Sequence, residues 1–124
     1  MRIRKLSEHK YANCGYYVDS VYAGKWGYIS EEGMLSYDTK VIIIRGDRVI
    51  YTGKYSVTTS KQQAWWLKEF GELVKGITKK TLELMYKEHL AYDRNTGELI
   101  PLTKEEEREI AEIRRAAFHY GYGW

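Results

Sequence analysis

The sequence predicts an α+β fold, with an antiparallel β-sheet in the N-terminal half followed by about three helices in the C-terminal half. Three observations carry the prediction. Up to Tyr55 the apolar residues come in β-branched and aromatic blocks, and two of those blocks flank a Gly46-Asp47 pair. Beyond Thr59 the apolar spacing becomes helical. Strands first and helices afterwards favour a segregated fold over a parallel sheet, which needs the two to alternate.

Tyr16-Tyr17-Val18-Asp19-Ser20-Val21-Tyr22 reads as a strand. Gly24 and Gly27 bracket a short run around Trp26-Gly27-Tyr28-Ile29, and Glu31-Glu32-Gly33 reads as a turn. The hairpin over 39–52 is the strongest element, because Gly46 supplies the positive φ that a tight turn demands. Val41-Ile42-Ile43-Ile44 has no polar position, which places that strand centrally in the sheet. Tyr55 to Val57 extend its partner beyond a bulge at Gly53.

Thr59 with Gln62, or Ser60 with Gln63, fits a capping box, and Gly71 suits the stop of that helix. A second helix starts near Thr78 and runs through Leu82, Met85, Tyr86, His89 and Leu90. Asp93 to Gly97 is a turn. Thr103 and Glu106 form another capping box, opening a helix with acids first (Glu105, Glu106, Glu107) and bases last (Arg114, Arg115, His119), as the helix dipole favours. Gly121 ends it, leaving the aromatic tail Tyr122-Gly123-Trp124.

At 124 residues the chain is one domain, 1–124. Twelve Tyr and four Trp stand against two Phe, a bias toward rings with a polar tip that suits partly wet surfaces and pockets. Cys14 is the sole cysteine, so neither an intrachain disulfide nor a cysteine metal cage is expected. The basic N-terminus lacks the apolar run of a secretory leader and no stretch is long enough to span a membrane, so the expected location is the cytoplasm with no membrane partner. Net charge is +3, all of it in residues 1–60, where nine Lys/Arg face six Asp/Glu; residues 61–124 hold eleven of each. This bias suits an anionic ligand but is too weak for duplex DNA.

No catalytic constellation stands out. His9, His89 and His119 have no metal-ligand spacing, and no G-x-S-x-G, P-loop, H-E-x-x-H or G-x-G-x-x-G is present. The expectation is a non-enzymatic protein without cofactor or metal. Two segments are candidates for binding. Lys54, Thr58, Ser60 and Lys61 lie where a strand passes into a helix, whose N-terminus attracts anions. Arg114 and Arg115 precede the rings of Tyr120 and Trp124, a pairing suited to phosphate and base. Trp65 and Trp66 are adjacent on a helix, so one of them faces away from the core; Trp65 is the candidate stacking ring.

Ser36-Tyr37-Asp38-Thr39-Lys40-Val41, followed by Tyr55-Ser56-Val57-Thr58-Thr59-Ser60-Lys61, resembles a module of small uncharacterised bacteriophage proteins, in which an S-Y-x-T-x-V strand leads to a Y-S-x-T-T-S-K-H helix start. The resemblance covers residues 36–70. Gln62 stands where such proteins place His, so no role of that histidine carries over. The resemblance implies phage origin. In that setting the expected function is counter-defence, with a phosphate-bearing ligand such as a cyclic-nucleotide immune signal sequestered by a homo-oligomer. Lys54, Thr58, Ser60, Lys61, Arg114 and Arg115 would meet phosphates, while Trp65, Tyr120 and Trp124 would stack on bases. The alternative is an anti-CRISPR type of inhibitor that binds a host defence protein through its Tyr/Trp-rich surface.

Overall fold

Val41-Ile42-Ile43-Ile44 lacks a polar position because both of its faces are covered. In the computed structural model, which describes residues 1–5 and 14–120 and, apart from positions 4, 5, 57, 58, 119 and 120, their side chains, seven strands pair antiparallel in sequence order. They are β1 (Arg2–Lys5), β2 (Cys14–Tyr22), β3 (Tyr28–Ser36), β4 (Thr39–Arg45), β5 (Arg48–Tyr51), β6 (Leu90–Asp93) and β7 (Leu99–Pro101). Helices α1 (Val57–Phe70) and α2 (Lys79–Glu88) are inserted between β5 and β6, and α3 (Lys104–Tyr120) follows β7. The fold is therefore α+β.

Alternation along the strands divides the core. Ile42, Ile44, Val49 and Tyr51 pack with Trp66 and Phe70 of α1 and Leu82 and Met85 of α2. Ile43, Ile50 and Ala91 face the other way and meet Ile110 of α3. Each fully buried side chain of this kind contributes about 1.5–3 kcal/mol by leaving water. Among the described residues no helix is long and apolar enough to cross a membrane.

The 39–52 hairpin forms as predicted, with Arg45 opposite Arg48 across Gly46-Asp47 and Gly46 at φ 58°. Three readings need correction. Glu31-Glu32-Gly33 lies inside β3 rather than in a turn; Glu31 pairs with Asp19 and Gly33 with Tyr17. Tyr55 to Val57 do not prolong β5, which ends at Tyr51; Tyr55 turns inward, and its hydroxyl lies 2.7 Å from Thr52 Oγ1. Leu90 does not end the second helix but opens the β6–β7 hairpin, which closes around the predicted 93–97 turn. His89 makes that break: it caps α2 in the left-handed conformation at φ 58°, and its N–H donates to Met85 and Tyr86 carbonyls. Arg94 then fastens the new hairpin, donating to Leu73 O at 2.7 Å and to Gly46 O.

The helix caps repeat this mix. The second helix starts where predicted, with Thr78 as its cap. For α1 the cap is Ser56, whose Oγ accepts from Thr59 N at 3.1 Å, so the helix begins earlier than the Thr59 or Ser60 boxes imply. Gln62 and Gln63 point into the core: Gln62 Oε1 accepts from Ser36 Oγ at 2.5 Å and Gln63 Nε2 donates to Tyr51 Oη at 2.6 Å. For α3 the box is complete, with Thr103 N donating to Glu106 Oε1 at 2.8 Å and Glu106 N to Thr103 Oγ1 at 3.1 Å.

Glu106 also accepts two bonds from the Arg48 guanidinium, at 2.8 and 2.5 Å. Partial burial would raise its pKa, but the Arg48 and Thr103 bonds override this and hold the carboxyl below its ordinary value. A carboxylate depressed in the folded state stabilises above its unfolded pKa of about 4.3, and that contribution is lost as pH falls through the lower folded value. Glu106→Gln is expected to cost about 1–2 kcal/mol at about pH 7, allowing for partial exposure. In urea titrations the gap between the two proteins should close below about pH 4; a gap that persists in acid would rule out the ionised pair as its cause.

Candidate functional site

Strands β5 and β6 pair only at Arg48–Asp93 and Val49–Tyr92, whereas β4 and β5 stay paired as far as Ile42–Tyr51. The sheet therefore parts beside Ile50 and Tyr51. Helix α3 runs across this parting. Its Ile110 belongs to one core face, while Ala117 reaches the core under α1 and α2. The space left is a cleft of ≈ 370 Å³, walled by Tyr51, Tyr86, Leu102, Ile110 and Ala111. That volume sits near the lower end of the roughly 300–1,000 Å³ typical of small-molecule pockets.

Polar groups are few and cationic in balance. Lys87, His89, Glu107 and Arg114 line the same cleft. His89 Nδ1 lies 2.9 Å from Glu107 Oε1, with both side chains largely exposed. Arg114 is half-buried among three rings, its guanidinium carbon 4.8 Å from the Tyr55 centroid, 5.0 Å from Tyr86 and 5.2 Å from Phe118. One of its terminal nitrogens, Nη1, donates to Thr52 O at 3.1 Å and Lys54 O at 3.2 Å. Among the described residues it has no carboxylate partner. Guanidinium over ring faces is favourable by about 0.5–2 kcal/mol per contact, which holds the group in place without neutralising it. Gly53 makes room: a Cβ there would lie 2.3 Å from Arg114 Nη1 and 2.8 Å from Tyr86 Cε1.

Comparisons of this chain with protein-family models, with curated proteins and with solved structures found no match.

Arg114 lines the cleft and donates to the Lys54 carbonyl, so of the 54–61 segment the Lys54 backbone lies beside the last helix. The Lys54 side chain is exposed. Ser60 and Lys61 sit in the first turns of α1, half-buried and exposed respectively, and neither lines this cleft. Thr58 is in the same turn, its side chain outside the described residues. Trp65 is packed against the core beside the fully buried Trp66. Arg115 is exposed on α3 and does not line the cleft. Tyr120 is the last residue of α3, and its side chain, like Trp124 as a whole, lies outside the described residues. Sequence reasoning passed over Tyr51, Tyr86, Lys87 and Glu107. One local signal existed, Tyr86-Lys87 on the polar side of an amphipathic helix, but the pairing with α3 is long-range.

A second polar cluster lies away from the cleft. The Glu31 side chain is 0% exposed, yet it accepts from Tyr17 Oη at 3.0 Å and Arg45 Nε at 2.7 Å and pairs with Lys40 Nζ at 2.5 Å. Arg45 continues to Glu109 at 2.9 and 2.5 Å. Burial, then the Glu31 charge, push the Tyr17 hydroxyl well above its ordinary pKa. Burial alone would lower Arg45, but its bonds to Glu109 and Glu31 override this and raise it. Burial pushes the Cys14 thiol up to about 12, so it is no nucleophile at neutral pH. Within this cluster the Arg45–Glu109 pair ties the sheet to α3.

Proposed function

We propose that this chain is a non-enzymatic binding protein that holds a phosphate-bearing, ring-containing small molecule, nucleotide-like in chemistry, in the cleft beside Arg114. The observation that carries the reading is a half-buried guanidinium with no carboxylate partner among the described residues, at the wall of an apolar cleft. An anion placed there would gain a charge-assisted bond in a medium less polar than water. The exposed Tyr86 ring offers a flat face for a base, with Tyr51 and Ile110 behind it as apolar wall, and Lys87 adds a second cation at the exposed side.

The resemblance of residues 36–70 to phage proteins supplies the setting: counter-defence in the host cytoplasm, with an immune cyclic nucleotide as the ligand. A cleft of ≈ 370 Å³ suits one nucleotide unit. A cyclic dinucleotide would then need the clefts of two copies, which fits the expected homo-oligomer.

Thermal unfolding with a panel of cyclic mono- and dinucleotides tests this. A ligand at about 100 times its Kd should add about 2.7 kcal/mol to stability. Arg114→Ala should abolish the gain, and Lys87→Glu, a change at an exposed side chain, should weaken it about tenfold or more in affinity. Native mass spectrometry should find the released ligand chemically intact. A chemically altered ligand would overturn the non-enzymatic reading and direct attention to His89 and Glu107. No shift with any nucleotide, together with co-purification of a host complex, would favour the protein-binding alternative.

A further inference from the structure

The β2–β3 hairpin runs on past its neighbours. The register of β1 with β2 ends at Arg2–Val18, and that of β4 with β3 ends at Glu32–Ile44. Four further pairs, from Asp19–Glu31 to Tyr22–Tyr28, continue as a two-stranded ribbon. At about 3.4 Å per residue it projects roughly 10 Å beyond the sheet. Its tip, closed by an Ala23 N to Gly27 O bond of 2.7 Å, carries the most exposed rings among the described residues: Tyr22 at 69%, Trp26 at 74% and Tyr28 at 73%. Soluble proteins normally cover or disperse such rings.

Strand alternation sets the sequence of side chains along one face of the ribbon. Tyr22 and Tyr28 are a cross-strand pair, their centroids 5.5 Å apart, and the next pair on that face is Ser20–Ser30. Below it come Val18 and, across the strand, Arg2. Arg2, Val18, Ser20 and Ser30 line one shallow groove of ≈ 380 Å³. Arg2 is exposed, and among the described residues no carboxylate pairs with it. Residues 20–30 contain one charge, Lys25, and no carboxylate. Two acids accompany it: Asp19 lines the groove itself, paired with Lys40 at 3.4 Å and with the N-terminal amine at 4.0 Å, and Glu32 stands opposite Val18 on the same face, accepting from Tyr16 Oη at 3.4 Å. The track is thus rings, then hydroxyls, then a guanidinium beside two partnered carboxylates.

We propose that this ribbon is a binding site for single-stranded nucleic acid, with bases stacked on Trp26, Tyr22 and Tyr28 and phosphates meeting Lys25, the serine hydroxyls and Arg2. Area argues against a stable protein interface. Three rings of about 150–250 Å² each, roughly 70% exposed, offer about 300–500 Å², short of the ~800 Å² that each partner of a standard interface buries. Stacking needs only ring faces, and every base has one. With two cations on the track, the salt dependence should be shallow, a log–log slope of about −0.7 to −1.4.

Fluorescence anisotropy of a labelled oligothymidylate of about twelve nucleotides, titrated with the intact chain, is the test. Binding weaker than about 1 μM is expected at low salt, with the matching duplex binding much less. Trp26→Ala and Tyr28→Ala should each weaken it about fivefold to a hundredfold, and Trp26→Phe should restore most of the loss. Circular dichroism of the variants should match the parent, since these side chains are exposed. No binding up to about 1 mM protein, or binding untouched by the ring substitutions, would overturn the proposal. So would association of the ribbon with anionic phospholipid vesicles in place of the oligonucleotide.

Discussion

Glu31→Ala is expected to lower the unfolding free energy by about 3–5 kcal/mol. Glu31 lies in the middle of β3, where its side chain has no access to water, and three donors converge on it. Removing it leaves Lys40 and Arg45, whose side chains are only 21% and 24% exposed, with less compensation, and a largely buried charge stripped of its partner costs far more than the pair contributes net. Arg45 retains Glu109, and Lys40 retains Asp19 at 3.4 Å, which keeps the loss from being larger. Truncating donor and acceptor together should be milder than the separate losses suggest. Glu31→Leu with Arg45→Met should cost at least about 1 kcal/mol less than the two single changes summed. Urea unfolding with an unchanged m-value is the measurement. A Glu31→Ala protein within about 1 kcal/mol of the parent would show that the cluster is solvated and not a buried network.

The same residue shows where sequence reasoning runs out. Glu31-Glu32-Gly33 has turn composition, and nothing within a few residues reveals that Lys40, Arg45 and Tyr17 will neutralise a carboxylate inside a sheet. The 39–52 hairpin was legible because its signal is local: a Gly-Asp pair between two β-branched runs. So were the Thr103–Glu106 box and the helix start near Thr78. The 56–60 segment offered several hydroxyls in a row, each a competent cap, and it is Ser56 whose Oγ accepts from a first-turn N–H, that of Thr59. Strand β6 was hidden because Leu82, Met85, Tyr86, His89 and Leu90 keep helical spacing across the break, and histidine carries no stop signal. As for the site, Arg114 and Lys54 were both legible as candidates, Lys54 meeting Arg114 through its backbone carbonyl. Their meeting required β5 and β6 to part, which no local pattern encodes.

The parting of the sheet and the projecting ribbon share a cause. In an antiparallel meander each strand is covered only as far as its neighbours reach, and here the neighbours are unequal: nine residues in β2 and β3 against four in β1, β5 and β6. Surplus length at one end leaves a ribbon without flanking strands. Divergence at the other side leaves a cleft that α3 only partly fills. Both candidate binding features are therefore consequences of strand length and pairing, and the scaffold between them must stay rigid for either to work.

That rigidity rests on Gly33, and Gly33→Ala is expected to cost more than about 4 kcal/mol, enough to leave a marginal domain unfolded. At φ 152° the backbone is in a region that favours glycine, and a Cβ would stand 1.9 Å from the Ile42 carbonyl oxygen and 2.8 Å from its carbon. These are backbone atoms of β4, fixed by the ladder beside the register shift at Met34 and Leu35, so they have no rotamer through which to yield. Relief would require β3 and β4 to separate, taking Ile42, Ile43 and Ile44 out of both core faces. The Tyr17 ring, 3.3 Å from the same point, covers the glycine on the third side and would also have to move. Gly71→Ala is the matched control: with φ −59° and nothing within 4 Å of its Cβ, it should be neutral or slightly stabilising. Both proteins can be compared by soluble yield and thermal unfolding. A folded Gly33→Ala protein melting within a few degrees of the parent would mean that β3 and β4 are not paired in this register.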